Sequence, residues 1–267
     1  MHSAAIAKLS GPLNCLINGP MKEAQENRTR LLDPQVENFE RISDFAYRGE
    51  YSSPVCVYSK CSPAGRSPAG RSYNAYNQSR TLTGMNKFEP EELGKCRGQE
   101  KASHYIPRTT GLSRLQAHFE ARQYLANGPP RSKLGSNFAP ASNTSSTQDF
   151  APVFLAYTRL YAFAEQYMVF PLKELTLQKL HHTLASFMLF ESCRPAITKL
   201  ARYVYDSHWI PDRGTSGRID GLRELVVEYM AIHTRDVKNL EDHRRFGGEE
   251  GEFAVDLMDA LQTWWRL

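Results

Sequence analysis

The sequence predicts a mostly α fold with a little β, and three observations predict it. Apolar residues recur at helical spacing through 1–51 and, more strongly, through 151–267. Alternating apolar and polar stretches are scarce. Between the two helical zones, Ser52 to Phe150 loses all periodicity and carries the direct repeat Ser62-Pro63-Ala64-Gly65-Arg66, Ser67-Pro68-Ala69-Gly70-Arg71.

In the first zone, Ala4, Ile6, Ala7, Leu9, Leu13, Leu16 and Ile17 predict one helical stretch, stopped by Asn18-Gly19-Pro20. Leu31-Leu32 before Asp33-Pro34 predicts a short strand within 28–33. Val36, Phe39, Ile42, Phe45 and Ala46 then fall on one face of an amphipathic helix that Gly49 closes. In the middle zone, Gly128-Pro129-Pro130 and the polar run Ser142 to Thr147 bury too little apolar surface to offset ordering entropy. The stretch 52–150 is therefore expected to be a largely disordered insert, with one helical island at Leu112 to Leu125.

The last zone predicts five helices. The first spans Val153 to Tyr167, and Pro171 opens the second, which uses Leu172, Leu175, Leu180 and Leu184. Ile197, Leu200, Ala201 and Val204 mark the third, which ends before Pro211-Asp212-Arg213-Gly214. Asp220 caps the fourth, whose apolar face is Leu222, Leu225, Val226 and Tyr229, with Arg223, Glu224 and Glu228 expected in solvent opposite. The fifth runs from about Glu252 to Trp264.

The 267 residues carry 33 Lys+Arg against 29 Asp+Glu, a net charge of +4 that is too small to argue for nucleic-acid binding. Most of it sits in the middle zone: 52–150 holds 13 of the bases and six of the acids, leaving −3 on the rest. With only Tyr73 and Tyr76 beside its Arg/Ser/Gly repeat and no dense basic run, this zone fits a solvated linker better than an RNA-binding segment. Its Ser53-Pro54, Ser62-Pro63 and Ser67-Pro68 steps are candidates for proline-directed phosphorylation. No stretch is apolar enough to span a bilayer, and Met1 to Leu16 lacks the basic start and apolar block of a signal peptide. Five scattered cysteines fit reduced thiols in an intracellular protein, with nucleus or cytoplasm left open.

Catalytic, cofactor and metal residues are not predicted. Cys56, Cys61, Cys96 and His104 do not match the spacing of a tetrahedral zinc site. His181 and His182 point about 100° apart on a helix, which suits a core-edge and a surface histidine rather than a chelating pair. Asp242-His243-Arg244-Arg245 is expected as a solvated helix end, and no phosphate loop, HExxH or nucleophile elbow is present.

Three stretches together resemble the BTB/POZ domain proteins common in filamentous fungi. The first is His2 to Ser10 with Leu13, Leu16, Asn18-Gly19 and Met21-Lys22-Glu23-Ala24. The second is Leu31-Leu32-Asp33 followed by Phe39 to Tyr51, ending Phe45-Ala46-Tyr47-Arg48-Gly49. The third is Leu160 to Tyr167 with Leu172 to Leu180, similar to the family's closing helical pair. Segments 202–205 and 221–226 resemble the helical extension that follows the core in fungal members.

The resemblance implies a BTB/POZ-like helical core with a residual short strand. On that reading, 1–51 is its first part, 52–150 an insert, 151–190 the closing helices and 191–267 the C-terminal extension. It departs from the family in lacking two leading strands, which reads as an N-terminal truncation, and in separating the closing pair by about a hundred residues. It further implies a non-enzymatic protein-interaction module that associates with itself or bridges to a cullin-type ubiquitin ligase. The contact surface expected from it uses Val36, Phe39, Tyr47, Tyr161 and Tyr167, with the alternative that all five are core. Two other readings stay open: a transcription- or nucleic-acid-associated factor acting through 52–150, and a shortened, non-functional product.

Overall fold

The structure, a computed structural model, describes residues 3–20, 22–26, 36–58, 111–125, 138–213, 217–233 and 251–265. Of the described residues 69% are helical and 2% lie in strands, so the chain is mostly α.

The single N-terminal helix expected from spacing is two helices, α1 (Ser3–Ala7) and α2 (Gly11–Asn18). The break has a local cause. The Ser10 hydroxyl accepts the Leu13 amide at 3.3 Å, and Pro12 occupies the first turn, where no preceding helical carbonyl is required. At the far end the Gly19 amide donates to the Cys15 carbonyl at 2.9 Å. A Cβ at Gly19 would stand 2.2 Å from that same oxygen. A short helix α3 (Lys22–Gln25) follows. The strand expected within 28–33 lies outside the described residues.

Helix α4 (Val36–Arg48) matches its predicted span, and Gly49 ends it with φ +69°, a conformation glycine adopts without Cβ strain. It buries Asn38, Ile42 and Phe45. Residues 59–110 and 126–137, most of the stretch expected to be disordered, lie outside the described residues.

The described parts of the predicted insert are packed. Strand β1 (Val57–Tyr58) pairs antiparallel with β2 (Gln148–Asp149), with Val57 opposite Asp149 and Tyr58 opposite Gln148. Between them in sequence lies α5 (Gly111–Ala121), the predicted island, which buries Leu115 and Phe119. Asn143 is fully enclosed: it donates to the Met188 carbonyl and accepts the Met188 amide, both at 2.6 Å. Phe150 sits in the core with its ring 5.2 Å from Phe187 and 5.9 Å from Phe154. The folded body therefore takes in 138–150 as well as the described residues after them. Isolated apolar residues in a polar run carry no periodic signal, yet each has a core partner far away in sequence.

The body is built from α6 (Ala151–Gln166), α7 (Phe170–Ser186), a 3₁₀ turn (Glu191–Cys193), α8 (Arg194–Asp206), α9 (Gly221–Ile232) and α10 (Gly251–Trp265). Helix α6 packs on α4, α7 and α8, while α9 packs on α5, α7, α8 and α10. Both α6 and α9 are covered on nearly every side; α6 is apolar almost all round, whereas α9 buries Arg223 and Glu228 along with its apolar residues. The α6–α7 corner is tight. Met168 holds φ +54° and stands exposed beside Phe170, while Val169 between them is buried.

One expectation about α9 is overturned. While Glu224 stays half-exposed, Arg223 is only 1% exposed and Glu228 only 5%, so two of the three charges expected in solvent are inside. The helix is roofed by α5 and α10, which deliver counter-charges to both residues.

Candidate interaction surface and the seat of helix α5

The predicted contact residues separate into two groups. Val36 is 74% exposed and Tyr47 53%. Eleven positions apart on α4, they lie within about 20° of one another around the axis and about 16 Å apart along it. Exposed Glu37 and Glu40 and half-buried Asp44 flank them. Phe39 is half-buried against the core on the adjoining side of α4, and Tyr167 is half-buried at the end of α6, its ring 4.7 Å from Phe163. Burial pushes the Tyr167 phenol up from its ordinary pKa.

Tyr161 is not a surface residue. It is 1% exposed, and its hydroxyl donates to Asp220, 2.9 and 2.8 Å from the two carboxylate oxygens. Asp220 caps α9 as predicted, accepting the Leu222 amide at 2.9 Å. The same carboxylate thus ties the start of α9 to the middle of α6. Lys173 closes the group, reaching Asp220 at 3.5 Å and pairing with Glu165. Burial and then the Asp220 charge raise the Tyr161 phenol, which keeps it protonated as the donor.

Lys179 of α7 is 3% exposed. Its ammonium pairs with the Glu50 carboxylate, donates to the Tyr51 carbonyl at 2.6 Å and lies 4.1 Å from the Tyr51 ring centre. Tyr51 in turn donates to Thr176 Oγ1 at 3.1 Å. Burial lowers the Lys179 pKa while Glu50 opposes that shift. The chain leaving α4 is pinned to α7 in this way.

Helix α5 rests in a seat formed by α7, α9 and α10. Just beyond its end, Arg122 donates to Glu228 at 2.6 Å and to Glu224 at 3.0 Å, and His118 Nδ1 stands 3.6 Å from Glu228. The His118 ring is 4.9 Å from that of Trp264 on α10. The two carboxylates respond differently to the shared guanidinium. Glu224, whose side chain is 43% exposed, is held below its ordinary value by Arg122. Glu228, 7% exposed, is pushed up to about 7, because burial outweighs the same guanidinium.

On the other wall, His181 Nε2 is 2.6 Å from the Phe119 carbonyl, and the rings of the two residues are 4.8 Å apart. A carbonyl only accepts, so Nε2 carries the proton and Nδ1 is bare; it is buried with no partner among the described residues. Burial drives the His181 pKa down to about 4. Gln178 accepts the Tyr124 amide at 2.8 Å through Oε1 and donates through Nε2 to His182 at 2.6 Å. The pair does not chelate, and it sits one step deeper than expected: His181 is fully buried and His182, expected at the surface, is half-buried, because α5 and the chain after it cover this side of α7.

A fourth cluster holds α10 down. Arg223 donates to Glu252 at 2.7 Å and Asp212 at 2.5 Å, its guanidinium 4.7 Å from the Tyr205 ring centre. Asp256 accepts from Tyr205 at 2.7 Å and from Arg213 at 2.6 Å. None of these pairings was signalled in the sequence, since Arg122 and Glu228 stand 106 positions apart and Tyr205 and Asp256 stand 51 apart.

Among the described residues no group of three or more His, Cys, Asp or Glu is placed to hold a metal, and no helix is long and apolar enough to cross a membrane. Of the cysteine–histidine set considered for zinc, Cys56 is described, half-buried beside Gln148, whereas Cys61, Cys96 and His104 lie outside the described residues, as does 242–245. Comparison with protein-family models, with curated proteins and with solved structures finds no match to this chain.

Proposed function

We propose that this chain is a non-enzymatic protein-interaction module that associates with itself or serves as an adaptor to a cullin-type ubiquitin ligase. The observation that carries the reading is the outer stripe of α4. Helix α4 is anchored by Ile42 and Phe45, yet it turns Val36 and Tyr47 outward along one line. These two exposed apolar side chains, flanked by Glu37, Glu40 and Asp44, are the part of α4 that the reading assigns to a partner. The resemblance of 2–10, 39–51 and 160–180 to BTB/POZ proteins supports the same reading and supplies the two kinds of partner.

The test mixes full-length copies bearing two different tags, alone and with a purified cullin. Retention of the second tag or of the cullin is expected, and its loss in Val36→Asp/Tyr47→Asp places the contact on α4. A wild-type chain that retains neither overturns the reading.

A further inference from the structure

We infer that Ser53 is a phosphorylation site whose phosphate is received by unpaired donors on α4 and α6, so that modification fastens the segment leaving α4. The site lies beside the buried side of α4 and does not depend on the contact proposed for Val36 and Tyr47.

Of the three Ser-Pro steps, Ser53-Pro54 is the one within the described residues. It lies in 51–56, which forms neither helix nor strand, between the pinned Tyr51 and β1. Ser53 is half-buried, and Ser52 and Val55 on either side of the Ser-Pro step are exposed.

The donors around it lack acceptors. Asn38 is 3% exposed and spends Oδ1 on an Arg41 Nη at 3.1 Å, which leaves its buried Nδ2 unpaired. The Arg41 Nε is also buried and unpaired. Tyr157 of α6 is fully enclosed. The Ser53 and Thr183 hydroxyls stand against its phenol without the alignment of a hydrogen bond, so the phenolic oxygen has no partner. Thr183 is already committed, donating to the Lys179 carbonyl at 2.8 Å.

The charge is incomplete in the same place. Arg122, Arg213 and Arg223 each hold two carboxylates. Arg41 holds none among the described residues, although its charge is felt at the Tyr157 and Tyr51 phenols. The nearby Glu50 is taken by Lys179. Buried donors without acceptors are costly, and a water brings no charge and too few acceptors for the set. A phosphate on Ser53 brings three oxygens and the missing counter-charge.

The modifying enzyme is a proline-directed protein kinase with ATP. The bond from Ser53 Oγ to the γ-phosphorus forms as the β,γ-bridging P–O bond breaks. ADP leaves, and the hydroxyl proton passes to the kinase's base. Pro54 is buried, so the segment lifts to enter the kinase and reseats with its phosphate.

Phosphoserine installed by codon reassignment in the full-length chain, at 53 or at the exposed control position 52, tests the pocket directly. By phosphorus NMR, the second pKa of the phosphate on Ser53 is expected to fall from about 6 to about 5 or below. Asn38→Ala and Arg41→Gln are each expected to bring it back towards about 6, where the phosphate on Ser52 stays. Amide-exchange protection over 51–57 is expected to rise with the phosphate on Ser53 alone. An ordinary pKa untouched by Arg41→Gln, a loss of protection, or a modified chain that fails to fold overturns the pocket. Incubation of the unmodified full-length chain with a proline-directed kinase and ATP, read by peptide mass spectrometry, is expected to phosphorylate Ser53. A chain left unmodified there, with Ser62 and Ser67 as internal controls, overturns it as a modification site.

Discussion

Arg122 donates to Glu228 at 2.6 Å across 106 positions of sequence, in a site where the arginine side chain is 14% exposed and the glutamate 7%. Around this pair the last part of a nominal insert becomes a structural member of the helical body.

Removing the cation alone isolates a buried carboxylate. R122A is expected to lower stability by about 3 kcal/mol, and R122A/E228Q to recover part of it, because the second change removes the stranded charge. Urea unfolding of the four chains closes the double-mutant cycle. A cost for R122A below about 0.5 kcal/mol, the range of an ordinary surface change, would show that the pair contributes nothing.

Asn143 satisfies both backbone groups of Met188 from a fully enclosed position. N143A removes both bonds and is expected to cost about 2 kcal/mol, mostly from unpaired polar groups left behind. Equilibrium denaturation by circular dichroism measures it.

Gly49 holds φ +69° at the end of α4. G49A is expected to destabilise by about 1 kcal/mol and G49N by less, since asparagine tolerates this conformation better than alanine. Thermal melts of the three chains rank them, and equal losses would contradict the conformational origin.

The two buried titratable groups beneath α5 have opposite pH slopes. His181, lowered to about 4 by burial, binds its proton less readily in the folded than in the unfolded chain. Its contribution is intact above the unfolded histidine value of about 6.5 and is lost as pH falls towards about 4. Glu228, raised to about 7, does the reverse. Its contribution is full below the unfolded carboxylate value of about 4.3 and is lost as pH rises through about 7.

Urea unfolding at pH 4.5, 5.5, 6.5 and 7.5 for wild type, H181Q and E228Q separates them. The stability of wild type relative to H181Q is expected to fall with acid, and relative to E228Q to fall with base. Parallel curves would show that neither group titrates on unfolding.

Much of the helical layout was legible because helix formation is a local matter. The stripe of Ile42 and Phe45, the Asp220 cap and the Pro171 start each depend on residues within a turn or two, and each stands where its pattern placed it. The break at Ser10-Gly11-Pro12 was equally local but was masked by apolar residues that continued the spacing across it. Of the five residues expected at a contact surface, only Val36 and Tyr47 are exposed. Tyr161 has the same residue type and helical setting as a surface tyrosine, and what separates it is Asp220, 59 positions later, which gives its hydroxyl a buried partner.

By itself, then, the sequence determined where most of the described helices start and stop, and that the chain is mostly α. Tertiary structure alone decided which polar faces lie inside. Arg223 and Glu228 occupy positions on α9 that face solvent in an isolated amphipathic helix; α10 and α5 cover them, bringing Glu252 and Arg122 within hydrogen-bonding distance. Periodicity reports which side of a helix is apolar. Whether a charge on the other side is buried depends on a second layer with a matching counter-charge, and that information is spread over a hundred residues of chain.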